Sequence, residues 1–144
     1  MSAGSLAARR DLLALVLDTL VPPGGGFPAG SIALDHVLAI ASASAEVQSI
    51  LERGLQAIDE TGAGFARLDA DDRERALARV EQTHAALVDA LVRHTYDGYY
   101  SHPAVLGRLG LEPGPVQPRG HRIEAAELPD LGRVVARGPI YRPA

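Results

Sequence analysis

Glu81 and His84 stand one helical turn apart in Glu81-Gln82-Thr83-His84, a spacing that puts a carboxylate and an imidazole on one face. Di-iron helical bundles use two such pairs together with glutamates from facing helices. This chain has no second copy, and neither of its other glutamate-bearing helices is expected to offer an inward acid. His84 instead falls on an apolar stripe and is expected to be a buried or interfacial histidine. Ser101-His102 joins a hydroxyl to a general base, but sequence neighbours splay apart and no strand–turn–helix elbow exposes the serine. Asp69, Asp71, Asp72 and Glu74 cluster where a helix should begin, and acids there complement the positive end of its dipole. His84, His94, His102 and His121 leave open a metal-dependent or hydrolytic enzyme.

Phosphate cradles fare no better. Gly25 to Ser31 carries the glycine spacing of a P-loop, but serine follows Gly30 directly and no strand precedes the loop. Gly62-Ala63-Gly64 lacks the third glycine of a dinucleotide fingerprint, because Arg67 occupies that place. Both stretches read as chain breakers, so no cofactor is expected in this chain. With no cysteine there is no disulfide, thiolate metal site or thiol nucleophile. All 14 basic residues are arginine, which removes every mechanism that needs a lysine amine.

Aromatic placement is more distinctive. Three of the six aromatics, Tyr96, Tyr99 and Tyr100, lie within five residues and flank Asp97-Gly98. Ser101-His102-Pro103 follows. Tyrosine couples a large rigid surface to a polar tip, which suits a partner interface as well as packing around a helix end. Phe27, within the glycine-rich loop, and the loop histidines His102 and His121 join Tyr96, Tyr99, Tyr100 and Pro103 as candidate partner contacts.

The elements that must carry these residues are helical. Ser5 can cap a helix from Leu6 to about Val21, with Leu6, Leu13, Val16, Leu17 and Leu20 as its stripe. Pro22-Pro23 ends it, and the loop to Gly30 follows. Ser31 is expected to cap a second helix reaching Ala41. Glu46 to Thr61 makes a third, with Val47, Ile50, Leu51, Leu55 and Ile58 inward. The longest helix is expected from Ala70 to about Tyr96, capped by Asp69 and stopped by Asp97-Gly98. Its stripe, Leu77, Val80, His84, Leu87 and Leu91, steps by 3, 4, 3 and 4 residues. A short turn of helix is expected from Pro103 to Leu109. The sequence thus describes an all-α domain of four to five helices over residues 1–110. Residues 111–144 hold six of the ten prolines and read as an extended, irregular tail that wraps a partner.

At 144 residues, 47% hydrophobic and 22% charged, the chain suits one globular domain rather than disorder. A net charge of −4 with interspersed arginines gives no basic stripe, so no nucleic-acid partner is expected. The apolar run Leu12–Val21 is half the length of a membrane span and contains Asp18, so no membrane insertion is expected. Arg9-Arg10 reads as two solvated arginines on the first helix rather than as an export signal.

Several segments, in order, resemble the gluconate 2-dehydrogenase subunit 3 family. They are Leu13-Ala14-Leu15-Val16-Leu17-Asp18-Thr19-Leu20-Val21-Pro22-Pro23-Gly24, then Gly64-Phe65-Ala66-Arg67-Leu68. Thr95-Tyr96-Asp97-Gly98-Tyr99-Tyr100-Ser101-His102-Pro103 and Leu106-Gly107-Arg108-Leu109-Gly110 follow. The resemblance spans roughly residues 6 to 120. It implies a non-catalytic small subunit in a hetero-oligomer. The partner would be an FAD-containing large subunit of the glucose–methanol–choline type, oxidising sugars or related alcohols. Many members of that family carry a long twin-arginine leader, whereas this chain starts almost directly at its first helix. That departure implies a cytoplasmic complex, or a periplasmic one if a leader has been removed. A free-standing helical adaptor differs only in its partner.

Overall fold

Leucine and valine at helical spacing, interrupted by prolines and glycines, give a chain of α-helices in the computed structural model, which describes residues 6, 8–60, 64–113 and 132–138. The described residues contain seven α-helices and two short 3-10 turns, with no strand among them. The chain divides into two units, Met1–Gly114 and Pro115–Ala144.

In the first unit α1 runs Arg10–Leu20 and buries Leu13, Val16 and Leu17. Ser5, the expected cap, lies outside the described residues. A 3-10 turn over Gly30–Ala33 then leads into α2, Leu34–Ala43. Ser31 therefore does not cap α2. Its backbone N–H instead donates to Asp18 Oδ1 at 2.7 Å, tying the turn to α1. Helix α3, Ala45–Asp59, opens on Ser44, whose hydroxyl accepts from the Val47 N–H. Leu51, Leu55 and Ile58 are buried, and Val47 and Ile50 pack at their edge. Against expectation α3 also buries an acid, Glu52, whose Oε1 accepts from Gln48 Nε2 one turn earlier at 3.0 Å.

The expected long helix is two helices. Helix α4, Ala70–Thr83, is capped by Asp69, whose Oδ1 accepts from the Asp72 N–H at 2.8 Å. Helix α5 runs Ala85–Ser101. Between them His84 sits at φ −136°, ψ 50°, outside helical geometry. The apolar stripe keeps its phase because Leu77, Val80, Leu87 and Leu91 all reach the core, but His84 does not. It is exposed at the bend, with Nδ1 2.9 Å from Thr83 Oγ1. Periodicity records which residues face inward, and a bend that preserves the phase leaves no mark on it.

The stop is also displaced. Gly98 lies inside α5, and it is not among the glycines with positive φ. A Cβ there would come within 2.8 Å of His36 Cβ, so the glycine serves the close approach of α2 to α5. Pro103 ends the helix instead: His102 is pushed to φ −74°, ψ 131°, as a residue before proline must be. Helix α6 follows over Pro103–Arg108. Helix α5 is the hub of the unit, packing on α2, α3, α4, α6 and the first 3-10 turn.

In the second unit the described residues form α7, Gly132–Arg137. The expectation of a wholly irregular tail is corrected there. The stretch between Pro129 and Pro139 is free of proline, and Gly138 closes the helix at φ 71°. No helix of the described residues is long and apolar enough to cross a membrane.

Candidate functional site

The end of α5 meets the glycine-rich loop, and most of the predicted contact residues gather there. Gly24 and Phe27 exchange backbone hydrogen bonds, with Phe27 N–H to Gly24 O at 2.9 Å. Gly25 and Gly26 between them have φ of 58° and 81°, the pair of positive values that a tight hairpin turn demands. The loop closes where the Gly30 N–H donates to Val21 O at 2.8 Å. Gly30 packs so closely on the Leu17 carbonyl that a side chain would collide with it.

A small second core holds this loop to the helices. Ala33, Tyr99 and Val105 are buried together, with Val21, Phe27 and Ile32 packed against them. Tyr99 is only 4% exposed, and its hydroxyl donates to the Pro28 carbonyl at 2.7 Å. Burial, and secondarily the neighbouring Tyr100, push the Tyr99 phenol above the usual tyrosine range. Tyr99 is thus the fold's own anchor. The outward rings are Tyr96 and Tyr100, 45% and 54% exposed and one turn apart. Their centroids are 5.9 Å apart, and Tyr100 meets Tyr99 edge-on at 5.3 Å. No change of direction at Gly98 is needed to separate the rings; successive positions on a continuous helix already do so.

His102 is partly buried and caps α6, its Nδ1 accepting from the Ala104 N–H at 3.2 Å. That role leaves Nε2 to carry the proton. Pro103 stands exposed at the first helical position, where its missing N–H costs nothing. Leu109 and Leu111, which follow α6, are further large exposed apolar residues. His121 lies outside the described residues.

Two participants were not among the predicted contact residues. Arg108 lays its guanidinium against the turn, with Nη1 3.0 Å from where a Gly26 side chain would begin. The Pro28 carbonyl, the acceptor for Tyr99, is a backbone group without a residue signature. Chemically this end offers aromatic surface with two exposed phenol tips. Among the described residues no three His, Asp or Glu side chains come together as a metal-holding group. No family model, curated protein or solved structure matches the chain.

Proposed function

We propose that this chain is the non-catalytic small subunit of a hetero-oligomer. It would bind and stabilise an FAD-containing dehydrogenase of the glucose–methanol–choline type that oxidises a sugar or glycoside. The carrying observation is the exposed Tyr96–Tyr100 pair, seated on a buried and hydrogen-bonded Tyr99. Rings fixed in advance lose little freedom on docking, which is why tyrosine is frequent among the residues that dominate interfaces. The choice of partner rests on the ordered segments of family resemblance, two of which, Leu13–Gly24 and Thr95–Pro103, build this end of the fold.

The test is co-expression with a flavoprotein dehydrogenase encoded beside this chain. The expected result is one complex carrying flavin absorbance, with a large subunit that loses solubility when this chain is omitted. A folded chain that never co-purifies with such a flavoprotein overturns the reading.

A further inference from the structure

Helix α5 carries a second apolar row beside the one it buries. Leu87, Leu91, Thr95 and Tyr99 are buried, and each is followed by a member of the second row: Val88, Val92, Tyr96 and Tyr100. Residues at this four-residue spacing form one ridge of a helix, here about 18 Å from end to end. The two valines are partly buried and belong to neither core among the described residues. The two tyrosines are about half exposed. A continuous apolar ridge of this length, unlike a scatter of single exposed residues, marks an interaction surface.

A charged row runs along the ridge. Asp89, Arg93 and Asp97 are exposed and stand one turn apart, acid, base, acid. Among the described residues neither Asp89 nor Arg93 joins an ion pair, and Asp97 Oδ2 lies 4.0 Å from His94 Nδ1. Such a row is complementary to itself when turned end for end. In an antiparallel pair of α5 helices about a two-fold axis level with Thr95, residues equidistant from Thr95 stand opposite each other. Arg93 then meets Asp97 of the copy, and symmetry repeats the contact. The same register seats Tyr96 of each helix between Val92 and Tyr96 of the other, and Tyr100 between Val88 and Val92. A register centred on Arg93 would instead set arginine against arginine and acid against acid.

We infer that this ridge is a self-association surface, covered by α5 of a second copy in the Thr95-centred antiparallel register. Charge and shape select the same register, which favours a copy of this chain over an unrelated occupant. One helix face is a small interface, at the low end of the size range, so the dimer is weak, with micromolar rather than nanomolar affinity. Its rings are also those offered to the flavoprotein in the reading above. The two assemblies exclude each other, and the dimer is the state of the chain before a partner arrives. The inference itself does not depend on that reading.

The test is sedimentation of the purified full chain through the micromolar and into the millimolar range, where a monomer–dimer equilibrium is expected. Arg93→Asp and Asp97→Arg each act on both sides of the two-fold and should weaken dimerisation about tenfold. The double variant Arg93→Asp/Asp97→Arg should restore it. The chain has no cysteine, which supplies a second readout that works even where the free chain aggregates. Tyr96→Cys, close to the two-fold, should give a disulfide-linked dimer on mild oxidation in freshly expressed cells. Glu74→Cys, exposed on α4, should not. A chain that stays monomeric, a dimer indifferent to Arg93→Asp, failure of the double variant to recover, or equal cross-linking at the two cysteines overturns the inference.

Discussion

The molecule has two cores of different kinds. The larger one, shared by α1 to α5, is almost wholly aliphatic, built from Leu13, Val16, Leu17, Val37, Leu51, Leu55, Ile58, Leu87 and Leu91 with Phe65. It contains little that fixes direction except shape. The smaller one gathers Phe27, Ala33, Tyr99 and Val105 from a loop, a 3-10 turn and two helix ends, and a single phenol–carbonyl bond joins positions 71 residues apart. Aliphatic burial supplies most of the stability, because it scales with area and asks for no orientation. The aromatic core instead fixes where a loop and two exposed rings stand. Stability and presentation are thus assigned to different residues, and substitutions can separate them.

The largest effect should come from the aliphatic core. Leu55→Ala removes a fully buried side chain and should cost about 2–5 kcal/mol in denaturant unfolding. A loss below about 1 kcal/mol would mean the core collapses around the gap. Next comes Tyr100→Ala, which should leave stability within about 0.5 kcal/mol. It should weaken association with the flavoprotein by about 2 kcal/mol, roughly thirtyfold. A destabilised free chain with unchanged association would erase the distinction between the two cores.

Tyr99→Phe tests the joint itself. It leaves the Pro28 carbonyl without its donor and should cost about 1–2 kcal/mol. Faster amide exchange should be confined to the loop around Gly24–Gly30, with helical content unchanged. The same residue gives a pH signature. Its folded phenol titrates above the ordinary 10.0, so the unfolded chain gives up this proton first. Its stabilisation is complete below that ordinary value and is lost as pH rises through the folded one. Tyr99→Phe should remove that alkaline slope.

The smallest change is expected at Thr95, fully buried in α5 with an unpartnered Oγ1. Thr95→Val exchanges a stranded hydroxyl for a methyl of the same shape. It should be neutral or stabilise by up to about 1 kcal/mol in thermal melts. Marked destabilisation would show that the hydroxyl has a partner after all.

The aliphatic core was legible in the sequence because helical period is a local signal. Leu13, Val16, Leu17, Leu51, Leu55, Leu87 and Leu91 all fall where their spacing puts them. Asp69 was legible for the same reason, since its partner is three residues away. The joints were not. Gly98 carries the signature of a helix stop, yet it is spent on His36, a neighbour 62 positions earlier. The tyrosine cluster could be seen in the sequence, but not which ring turns inward, because that depends on the distant Pro28 carbonyl. The burial of Arg9 Nη1 was invisible too, since its surroundings come from residues distant in the chain.

The single-residue junction at His84 has a further consequence, for tolerance to changes in chain length. Inserting one residue into the first turn of α5, beside that junction, would turn everything beyond it by about 100°, one residue's share of a helical turn. Leu87 and Leu91 would leave the core, and Tyr99 would swing away from Pro28. The Gly24–Gly25 side of the hairpin turn is the opposite case: there is open space around both residues, and a residue added there meets no neighbouring side chain. Natural relatives of this chain should therefore differ in length at the tip and keep the junction at one residue.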